Sequence, residues 1–421
     1  MLKVTKFGGS SLACAERFLR VRDIVLSDPA RRVVVVSAAG RRHPDDHKIT
    51  DLLYLCHAHL RCGVSCWDLW RRIEDRYTAI RDGCALSFPI ERELAAIYAS
   101  LSPAMSCDEL ASRGEYLSAR LMADLLGFTF VDAKDWLRFD DAGNVLQAES
   151  YALLRQLAGD RRIVTPGFYG AMPGGQIRTF SRGGSDITGS LAAAALGADV
   201  YENWTDVPGV LAADPAVVKD PAPIPQLSYD ELQTLSRVGV QVLHESAVAP
   251  VREAGIPLHI RSTLTPEQPG TRISAAKDPC PLSAGVTAFA GRRQLSLLAI
   301  RAESIRPAAV FDLLHRKAVP VFQSDCTPDR LTLLLSAPPA DCRAAAAALR
   351  ETLRHDHLSL RENVCLLAAV PAGNDTAASI LSALSRADVT VHHALLSGED
   401  LLLTIPDGQY ETALRAACAR P

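Results

Sequence analysis

The sequence has 421 residues, of which 48% are hydrophobic and 22% are charged, a composition typical of a folded protein with two or three domains. The net charge of −3 and the isoelectric point near 6.4 argue against the basic surface that nucleic-acid binding requires. Eleven scattered cysteines without a CxxC pair indicate reduced thiols, and the lack of a long apolar run or signal-peptide pattern predicts a cytoplasmic protein without a membrane partner.

The N-terminal third predicts a strand–helix–strand unit followed by several helices. Residues 2–7 and 32–37 are short runs of apolar, β-branched residues, and residues 15–26 between them carry apolar side chains at helical spacing. Two strands connected through a helix lie parallel in one sheet, so we predict an α/β fold with a mainly parallel central sheet. The apolar spacing of residues 50–126 predicts a mainly helical segment.

Residues 128–275 predict short strands that alternate with glycine-rich turns. Strands are predicted at 128–132, at 162–165, from residue 200 and at 257–261. Residues 167–180 are typical of a β-hairpin that turns near Gly174 and Gly175. Residues 181–199 predict a loop followed by a helix.

The C-terminal region has a different pattern. Segment 276–285 is rich in proline and glycine and is predicted to be a linker between a domain of residues 1–275 and a region of residues 286–421. Strands are predicted there at 295–300, 330–335, 364–370 and 400–405, and helices near 304–316, 341–354, 374–386 and 408–419. This alternation predicts two small α+β units of similar layout, although no repeat is visible in the sequence itself.

The short sequence KFGGSS follows the first predicted strand. Its lysine precedes the glycines, so it matches neither a Walker loop nor a dinucleotide-binding loop. Gly8 and Gly9 allow backbone N–H groups to approach an oxygen-rich ligand, and the next helix N-terminus adds partial positive charge. Lys6 would bring a compact positive charge to the same ligand. A tight turn with a solvated lysine explains this stretch equally well.

A second glycine-rich turn is SRGGSDITGS, which precedes a predicted helix. Ser185 is expected to cap that helix, with Asp186 in its first turn. The guanidinium of Arg182 suits a carboxylate or a phosphate. A capped helix alone explains the serine and the aspartate, but it does not explain the arginine and the two glycines.

Two further features suggest a ligand site. Thr205 and Asp206 lie at the carboxyl end of a predicted strand, where open α/β sheets bind ligands, although an ordinary turn at Pro208 explains them too. Gly114 lies inside a predicted helix, where a glycine costs about 1 kcal/mol. It therefore requires close approach by a ligand or by another loop.

Together these pieces resemble the aspartate kinases in kind, order and spacing. The resemblance covers residues 3–275 and rests on KFGGSS, VVVVSAAG, HKITDLL, SRGEYLSARLMADLLG, FSRGGSDITGSLAAAALGAD, ENWTDVPGVLAADP and VLHESAVAPVREAGIPLHI. The C-terminal pattern is similar to the tandem ACT regulatory domains of that family. The resemblance implies a three-layer amino-acid-kinase sandwich followed by two ferredoxin-like ACT units, either consecutive or interleaved.

The resemblance also implies an activity. Aspartate kinases transfer the γ-phosphoryl group of ATP, bound with Mg²⁺, to the side-chain carboxylate of L-aspartate. The product, 4-phospho-L-aspartate, starts the route to lysine, threonine and methionine. ACT-like units commonly pair side by side, so a homodimer or a higher homo-oligomer is expected.

Residue roles are implied by the same resemblance. Lys6 is expected to contact the transferring phosphoryl group, and Asp186 is expected to position that lysine. The remaining ATP-binding positions are Gly8, Gly9, Ser10, Thr205, Asp206 and Gln241, and the amino-acid positions are Ser37, Thr50, Glu115, Arg182 and Ser185. Arg182 suits the α-carboxylate and Glu115 the α-ammonium group. No residue is assigned as a metal ligand, and the cysteine- and histidine-rich segment 56–66 has no zinc spacing.

Two departures from the family pattern concern the nucleotide. Ala216 follows Pro215 where the family commonly has an arginine, and Gln241 lies where a lysine is frequent. We therefore expect a weak apparent affinity for ATP. A third departure is the short, altered segment 370–384 in the second ACT-like unit, from which we expect feedback by lysine or threonine to be weakened or lost.

Two alternatives stay open at this point. One is a related kinase that phosphorylates another carboxylate substrate, such as glutamate or an acylated amino acid. The other is a catalytically weak, amino-acid-binding regulatory subunit, which the missing cations at residues 216 and 241 favour. The presence of Lys6, Glu115, Arg182 and Asp186 argues against this second alternative.

Overall fold

The structure is a computed structural model. It describes residues 1–181, 183–239, 243, 245–275, 288–301, 305–353 and 357–419. The linker predicted at 276–285 therefore lies outside the described residues. In the described part of the chain, no helix is both long enough and apolar enough to span a membrane.

The structure contains both helices and strands. The strands are β1 (Lys3–Phe7), β2 (Arg31–Val36), β3 (Thr129–Phe130), β4 (Ile163–Pro166), β5 (Tyr169–Ala171), β6 (Ile177–Thr179), β7 (Val200–Thr205), β8 (Gln226–Ser228), β9 (Leu258–Ser262), β10 (Thr271–Ser274), β11 (Ala288–Arg301), β12 (Val321–Thr327), β13 (Arg330–Leu335), β14 (Leu358–Val370), β15 (His393–Ser397) and β16 (Asp400–Pro406). The α-helices are α1 (Ala15–Leu26), α2 (Ile49–Arg61), α3 (Trp67–Gly83), α4 (Ile90–Ser100), α5 (Cys107–Leu126), α6 (Ala133–Trp136), α7 (Gln147–Ala158), α8 (Gly184–Leu196), α9 (Tyr229–Val238), α10 (Glu245–Glu253), α11 (Pro307–Arg316), α12 (Pro339–Leu353), α13 (Gly373–Arg386) and α14 (Tyr410–Cys418).

The chain divides into two compact units. The first consists of Met1–Val210, Pro223–Leu232 and Gln241–Ser283, and the second of Leu211–Ala222, Gln233–Val240 and Ala284–Pro421. The first unit contains an eight-stranded sheet in the order β3-β4-β2-β1-β7-β9-β10-β8. Its pairs from β3 to β9 are parallel, and β10 runs antiparallel to β9. The predicted mainly parallel central sheet is confirmed.

Helices cover both faces of this sheet. Because side chains alternate along a strand, Phe7 and Lys6 of β1 point to opposite faces. Phe7 packs in a core that includes residues of α1 to α5, such as Phe18 and Leu117. On the other face, Lys6 contacts Asp186 of α8. The first unit is therefore a three-layer sandwich, as the resemblance implied.

The second unit contains one six-stranded antiparallel sheet in the order β12-β13-β11-β14-β16-β15. The long strands β11 and β14 pair from Ala288↔Val370 to Ile300↔Leu358. The end of β11 also pairs with β13, and the end of β14 also pairs with β16. Each long strand is therefore the first strand of one α+β unit and the last strand of the other, so the two ACT-like units interleave.

The interleaved units also reveal a repeat that we did not detect in the sequence. The cores of the two ACT-like units use equivalent residues that are separated by a constant number of positions in the sequence. Examples are Leu331 with Leu401 and Leu333 with Leu403. Ala318 and Asp388, which follow α11 and α13, share the same offset and both have positive φ angles, of 53° and 55°. The repeat therefore extends to the backbone of the turns.

Most predicted elements of the first unit are present. The helix predicted at 15–26 is α1 over the same residues, and the predicted hairpin is β5 and β6, which pair antiparallel. The strand predicted at 128–132 is shorter, with only Thr129–Phe130 in the sheet. The edge strands β12 and β15 of the second unit were missed, because polar and apolar residues mix along both.

Candidate active site

The predicted site residues that the structure describes lie at the carboxyl ends of the central strands, along one edge of the sheet. Strands β1, β2 and β7 are neighbouring and parallel, so their carboxyl ends meet there. A cavity of about 580 Å³ opens at this edge. Its lining residues are Gly9, Ser10, Arg17, Ser37, Ala38, Ala39, Gly40, Arg41, Arg42, His43, Lys48, Thr50, Glu115 and Asp206.

Two glycines bring the loops after β1 and β2 into backbone contact. The N–H of Gly40 donates a hydrogen bond of 2.8 Å to the carbonyl oxygen of Gly9. A Cβ on Gly40 would lie 2.5 Å from the carbonyl carbon of Gly9, and a Cβ on Gly9 would lie 2.8 Å from the carbonyl oxygen of Ala38. Side chains are therefore excluded at both positions.

Lys6 forms a close ion pair beneath the first loop. Its Nζ lies 2.5 Å from Oδ1 of Asp186, in the first turn of α8. The same oxygen accepts a hydrogen bond of 2.7 Å from Nδ2 of Asn203 on β7. The lysine Nζ also lies 3.6 Å from the position that a Cβ on Gly8 would occupy. Asp186 therefore holds the ammonium group directly beside the glycine loop.

Glu115 of α5 is the most unusual group in the cavity lining. Its side chain is buried, and its Oε2 has no hydrogen-bond partner among the described residues. Burial raises the pKa of Glu115 to about 8, although a hydrogen bond from the backbone of Ala38 acts in the opposite direction. A buried carboxylate without a counter-ion is costly, so this position suits a cationic ligand group.

Gly114 explains how Glu115 reaches the cavity. A Cβ on Gly114 would lie 2.7 Å from Cβ of Ala38 and 3.3 Å from Cγ2 of Ile49. The carbonyl oxygen of Gly114 accepts a hydrogen bond of 2.6 Å from the hydroxyl of Tyr77. The glycine thus lets α5 pack against the loop after β2. Close approach by another loop is one of the two explanations that the sequence allowed for a glycine inside this helix.

Comparison with known proteins identifies the family. Residues 1–262 match the model of the "Amino acid kinase family". The chain belongs to the amino acid kinase family. Its structure is also similar to the crystal structure of aspartate kinase from Clostridium acetobutylicum, with a TM-score of 0.88 and 33% identity over 99% of both chains. Within the family, the chain belongs to the aspartate kinases, as the sequence motifs indicated.

Two further relatives agree with this assignment. "Aspartokinase 3" of Bacillus subtilis is 38% identical over 66% of this chain, and the match spans 64% of that relative's length. The chain thus covers less than two thirds of this curated relative. The crystal structure of Escherichia coli aspartokinase III in complex with aspartate and ADP has a TM-score of 0.73 and 26% identity, over 99% of both chains.

In this aspartate kinase, the structure brings most of the predicted site residues together. Gly9, Ser10, Ser37, Thr50, Glu115 and Asp206 line the cavity. Lys6 and Asp186 pair beside it, and Thr205 donates a hydrogen bond of 3.1 Å from its Oγ1 to Oδ1 of Asp206. Arg182 and Gln241 lie outside the described residues.

One local prediction was wrong. Ser185 does not cap α8, because the helix begins at Gly184 and its N-cap is Gly183, which has a φ angle of 59°. Ser185 is instead the second residue of the helix and is buried. A Cβ on Gly167 would lie 2.6 Å from the Ser185 side chain, so the start of α8 packs closely against the chain after β4.

Sequence reasoning missed one wall of the cavity. Residues 40–48, which we call the basic loop, contain Arg41, Arg42, His43 and Lys48, and all four line the cavity. Arg17 of α1 lines it too. For the basic loop, the signal was present in the sequence, since Arg41, Arg42 and Lys48 are clustered directly after a buried strand, at the edge where ligands bind.

Proposed function

We propose that this protein transfers the γ-phosphoryl group of ATP to the side-chain carboxylate of L-aspartate, giving 4-phospho-L-aspartate. The observation that carries the proposal is the pairing of Lys6 with Asp186 beside a glycine loop, at a cavity that also contains Glu115, whose Oε2 has no hydrogen-bond partner in the described part of the chain. One half of this arrangement suits a phosphate chain, and the other suits an amino acid. The complex of the Escherichia coli relative with aspartate and ADP supports the same pair of ligands.

The nucleotide is assigned to the side of the cavity formed by β1 and β7. Gly8, Gly9 and Ser10 form the loop that receives the phosphates. Gly9 and Ser10 offer their backbone N–H groups, because the N–H of Gly8 already donates a hydrogen bond of 3.1 Å to the carbonyl oxygen of Trp204. Lys6 contacts the transferring group. Thr205 and Asp206 lie at the end of β7, on the nucleotide side. Gln241 is retained as a prediction for the same ligand.

Mg²⁺ would enter this site with the nucleotide. Among the described residues, no group of three His, Cys, Asp or Glu side chains could hold a metal ion. The cavity lining has one carboxylate, that of Asp206, on the side assigned to the nucleotide, which fits a magnesium ion held mainly by phosphate oxygens and water. When bound, the ion supplies positive charge to the phosphate oxygens during transfer.

L-Aspartate is assigned to the side formed by the loop after β2, α2 and α5. Glu115 binds the α-ammonium group, because its Oε2 is a buried carboxylate oxygen that has no hydrogen-bond partner among the described residues. Ser37 and Thr50 offer hydroxyl groups from the neighbouring wall. Arg182 and Ser185 are retained as predictions for the α-carboxylate and its surroundings.

The chemistry requires little beyond charge and position. A side-chain carboxylate has a pKa of about 3.9, so the nucleophile is already ionised at pH 7 and needs no general base. The barrier comes from bringing an anion against a polyphosphate. Cations and oriented N–H groups lower it, and one such donor is typically worth about 3–4 kcal/mol. Asp186 therefore orients Lys6 and does not accept a proton from the substrate.

Trapping of the acyl phosphate tests this function. In the presence of hydroxylamine, ATP and L-aspartate are expected to give aspartyl hydroxamate, whereas L-glutamate and a reaction without amino acid give none. Lys6→Ala is expected to abolish the signal, and Lys134→Ala, which changes a half-exposed lysine of α6, keeps it. Hydroxamate from glutamate but not from aspartate would indicate the alternative kinase, and no hydroxamate from any substrate would indicate a non-catalytic subunit.

Four expectations from the sequence remain proposals. We place the kinase domain at residues 1–275, a linker at 276–285 and the regulatory region at 286–421. We also propose a homodimer or higher oligomer formed through the ACT-like units. Weak ATP affinity is proposed from Ala216 and Gln241, and weakened feedback by lysine or threonine from segment 370–384. A low-micromolar KM for ATP contradicts the proposed weak affinity for ATP. Clear inhibition by millimolar lysine or threonine contradicts the proposed weakening of feedback.

A further inference from the structure

Phosphoryl transfer requires two loops of this site to stay at a fixed separation. The phosphate loop, residues 8–11, follows β1, while the walls assigned to the amino acid begin after β2. Reacting atoms must be held about 3–3.5 Å apart, and a misplacement of 1 Å can cost about 10²-fold in rate. Contacts that join the two loops are therefore candidates for a catalytic role that does not involve touching the substrate.

Arg17 joins the two loops directly. One of its terminal nitrogens, Nη1, donates a hydrogen bond of 2.6 Å to the carbonyl oxygen of Ser10 in the phosphate loop. The same nitrogen lies 3.3 Å from the carbonyl oxygen of Arg41, and Nη2 lies 3.4 Å from that of Arg42, both in the basic loop. One planar guanidinium group thus bridges both sides of the cavity.

The charge of Arg17 is not neutralised by a carboxylate. Among the described residues, Arg17 forms no salt bridge, while its neighbour Arg20 pairs with Glu16 on the surface of α1. The acceptors of Arg17 are all carbonyl oxygens. Its position in the cavity lining therefore leaves a positive charge close to the phosphate loop.

A separate network fixes the other side of the basic loop. Asp46 accepts hydrogen bonds from the backbone N–H and Nε of Arg42, at 3.0 and 2.8 Å. The buried Arg76 of α3 donates to Oδ2 of Asp46 at 2.5 Å and to the carbonyl oxygen of Gly40 at 2.8 Å. These hydrogen bonds hold Gly40, Arg42 and Asp46 together, and Arg17 connects this network to the phosphate loop.

We propose that Arg17 is a positioning residue. By bridging Ser10 to the basic loop, it sets the distance between the phosphate loop and the wall of the cavity that is assigned to the amino acid. The proposal rests on the phosphoryl transfer proposed above. Lysine cannot replace Arg17, because a single ammonium group does not present donors in a planar fork to carbonyl groups on two loops. The role lies in geometry, so loss of Arg17 lowers the rate of transfer more than it weakens the binding of either substrate.

The test compares Arg17→Gln and Arg17→Lys with the matched control Arg20→Gln on the same helix. Both Arg17 variants are expected to lose about 10²-fold in kcat, while the Kd values of ADP and L-aspartate, each measured alone, change less than about threefold. A further variant, Arg17→Ala, serves for chemical rescue, and millimolar guanidinium is expected to restore part of its lost activity. Arg20→Gln is expected to match the wild type in every measurement.

Other outcomes overturn the proposal. A rise in the Kd of ADP with an unchanged kcat assigns Arg17 to phosphate binding, and reduced stability with unchanged kcat assigns it to folding alone. A second measurement does not depend on the reaction. Hydrogen exchange of the ligand-free protein is expected to speed up at residues 8–12 and 40–48 in Arg17→Gln, and unchanged exchange there overturns the proposal even if the wild type proves inactive.

Discussion

Two buried glutamates in the first unit show how differently this fold treats a carboxylate. Glu202 of β7 accepts hydrogen bonds from Nε of Arg31 at 2.7 Å and from Nε1 of Trp204 at 2.9 Å, and Nζ of Lys3 lies 3.2 Å away. Glu115 of α5 has no ion pair among the described residues, and one of its oxygens has no hydrogen-bond partner. Both side chains are almost completely buried.

The surroundings move the two pKa values in opposite directions. Burial on its own raises the pKa of Glu202, but the hydrogen bond and the charge of Arg31, together with Lys3, outweigh it and leave that pKa below its usual range. Burial is not outweighed at Glu115, whose pKa is about 8. The compensated glutamate stabilises the fold, and the uncompensated one is available to a ligand.

The largest effect is expected when the compensated charge is removed. Glu202→Gln leaves Arg31 buried without a counter-ion, and breaking a buried pair in this way typically costs about 3–5 kcal/mol. Urea unfolding is expected to show this loss in the free energy of unfolding, while the KM for aspartate of the folded enzyme stays unchanged. Because the pKa of Glu202 is lowered on folding, the wild-type advantage is fully present above the unfolded pKa, and it is lost progressively as the pH falls from there through the lower folded pKa.

The matched change at the other glutamate is expected to do the reverse. Glu115→Gln removes the charged acceptor for the α-ammonium group, and a hydrogen bond to a charged group is worth about 1.5–3 kcal/mol. The KM for aspartate is therefore expected to rise about 10- to 100-fold. Stability at pH 8.5 is expected to be equal to or above that of the wild type, because the glutamine needs no ionisation inside the protein. A large loss of stability without a change in KM contradicts the assignment.

The role of Glu115 could be predicted from the sequence, but the role of Glu202 could not. Glu115 was found because it lies in a motif that resembles a family pattern, next to a glycine that the helix does not favour. Glu202 lies in strand β7, and the residues next to it in the sequence do not indicate that it forms a buried ion pair. Its partner Arg31 is distant in the sequence, so only the pairing of β1 with β2 and β7 brings these charges together.

The same limit applies to the second unit and to Arg17. Strands β13 and β16 were predicted because leucine and isoleucine dominate both, whereas polar residues such as Gln323 and His393 recur along β12 and β15. The repeat was missed because identity is low at equivalent positions, although both cores conserve apolar character. Arg17 was missed because its acceptors are backbone carbonyl groups, which leave no trace in the sequence.

The raised pKa of Glu115 predicts a proton linkage to binding. In the ligand-free enzyme at pH 7, this carboxyl group is mostly protonated, since its pKa is about 8. The arriving α-ammonium group favours the ionised form and lowers that pKa, so binding of aspartate is expected to release about one proton. Calorimetric titrations in buffers of different ionisation enthalpy measure this release at pH 7.

The release has a defined pH dependence and a clear control. Above pH 9 the group is already ionised in the free enzyme, so the release is expected to disappear, and the affinity for aspartate is expected to rise between pH 6 and 8. Glu115→Gln is expected to show no release at any of these pH values. A release that persists in this variant would assign the proton to another group.

The smallest effect is expected at Gly114, which sets the position of Glu115. Gly114→Ala favours the helix by about 1 kcal/mol, but the new Cβ would lie 2.7 Å from Cβ of Ala38, and overpacking of this kind costs about 1–3 kcal/mol. We expect a net loss of about 1 kcal/mol in the free energy of unfolding. The displaced Ala38 also weakens its backbone hydrogen bond to Glu115, so the KM for aspartate is expected to rise about threefold. The double variant Gly114→Ala/Ala38→Gly removes the clashing methyl group and is expected to recover both values. If the double variant remains as impaired as the single one, crowding against Ala38 is not what fixes the position of the Glu115 carboxylate.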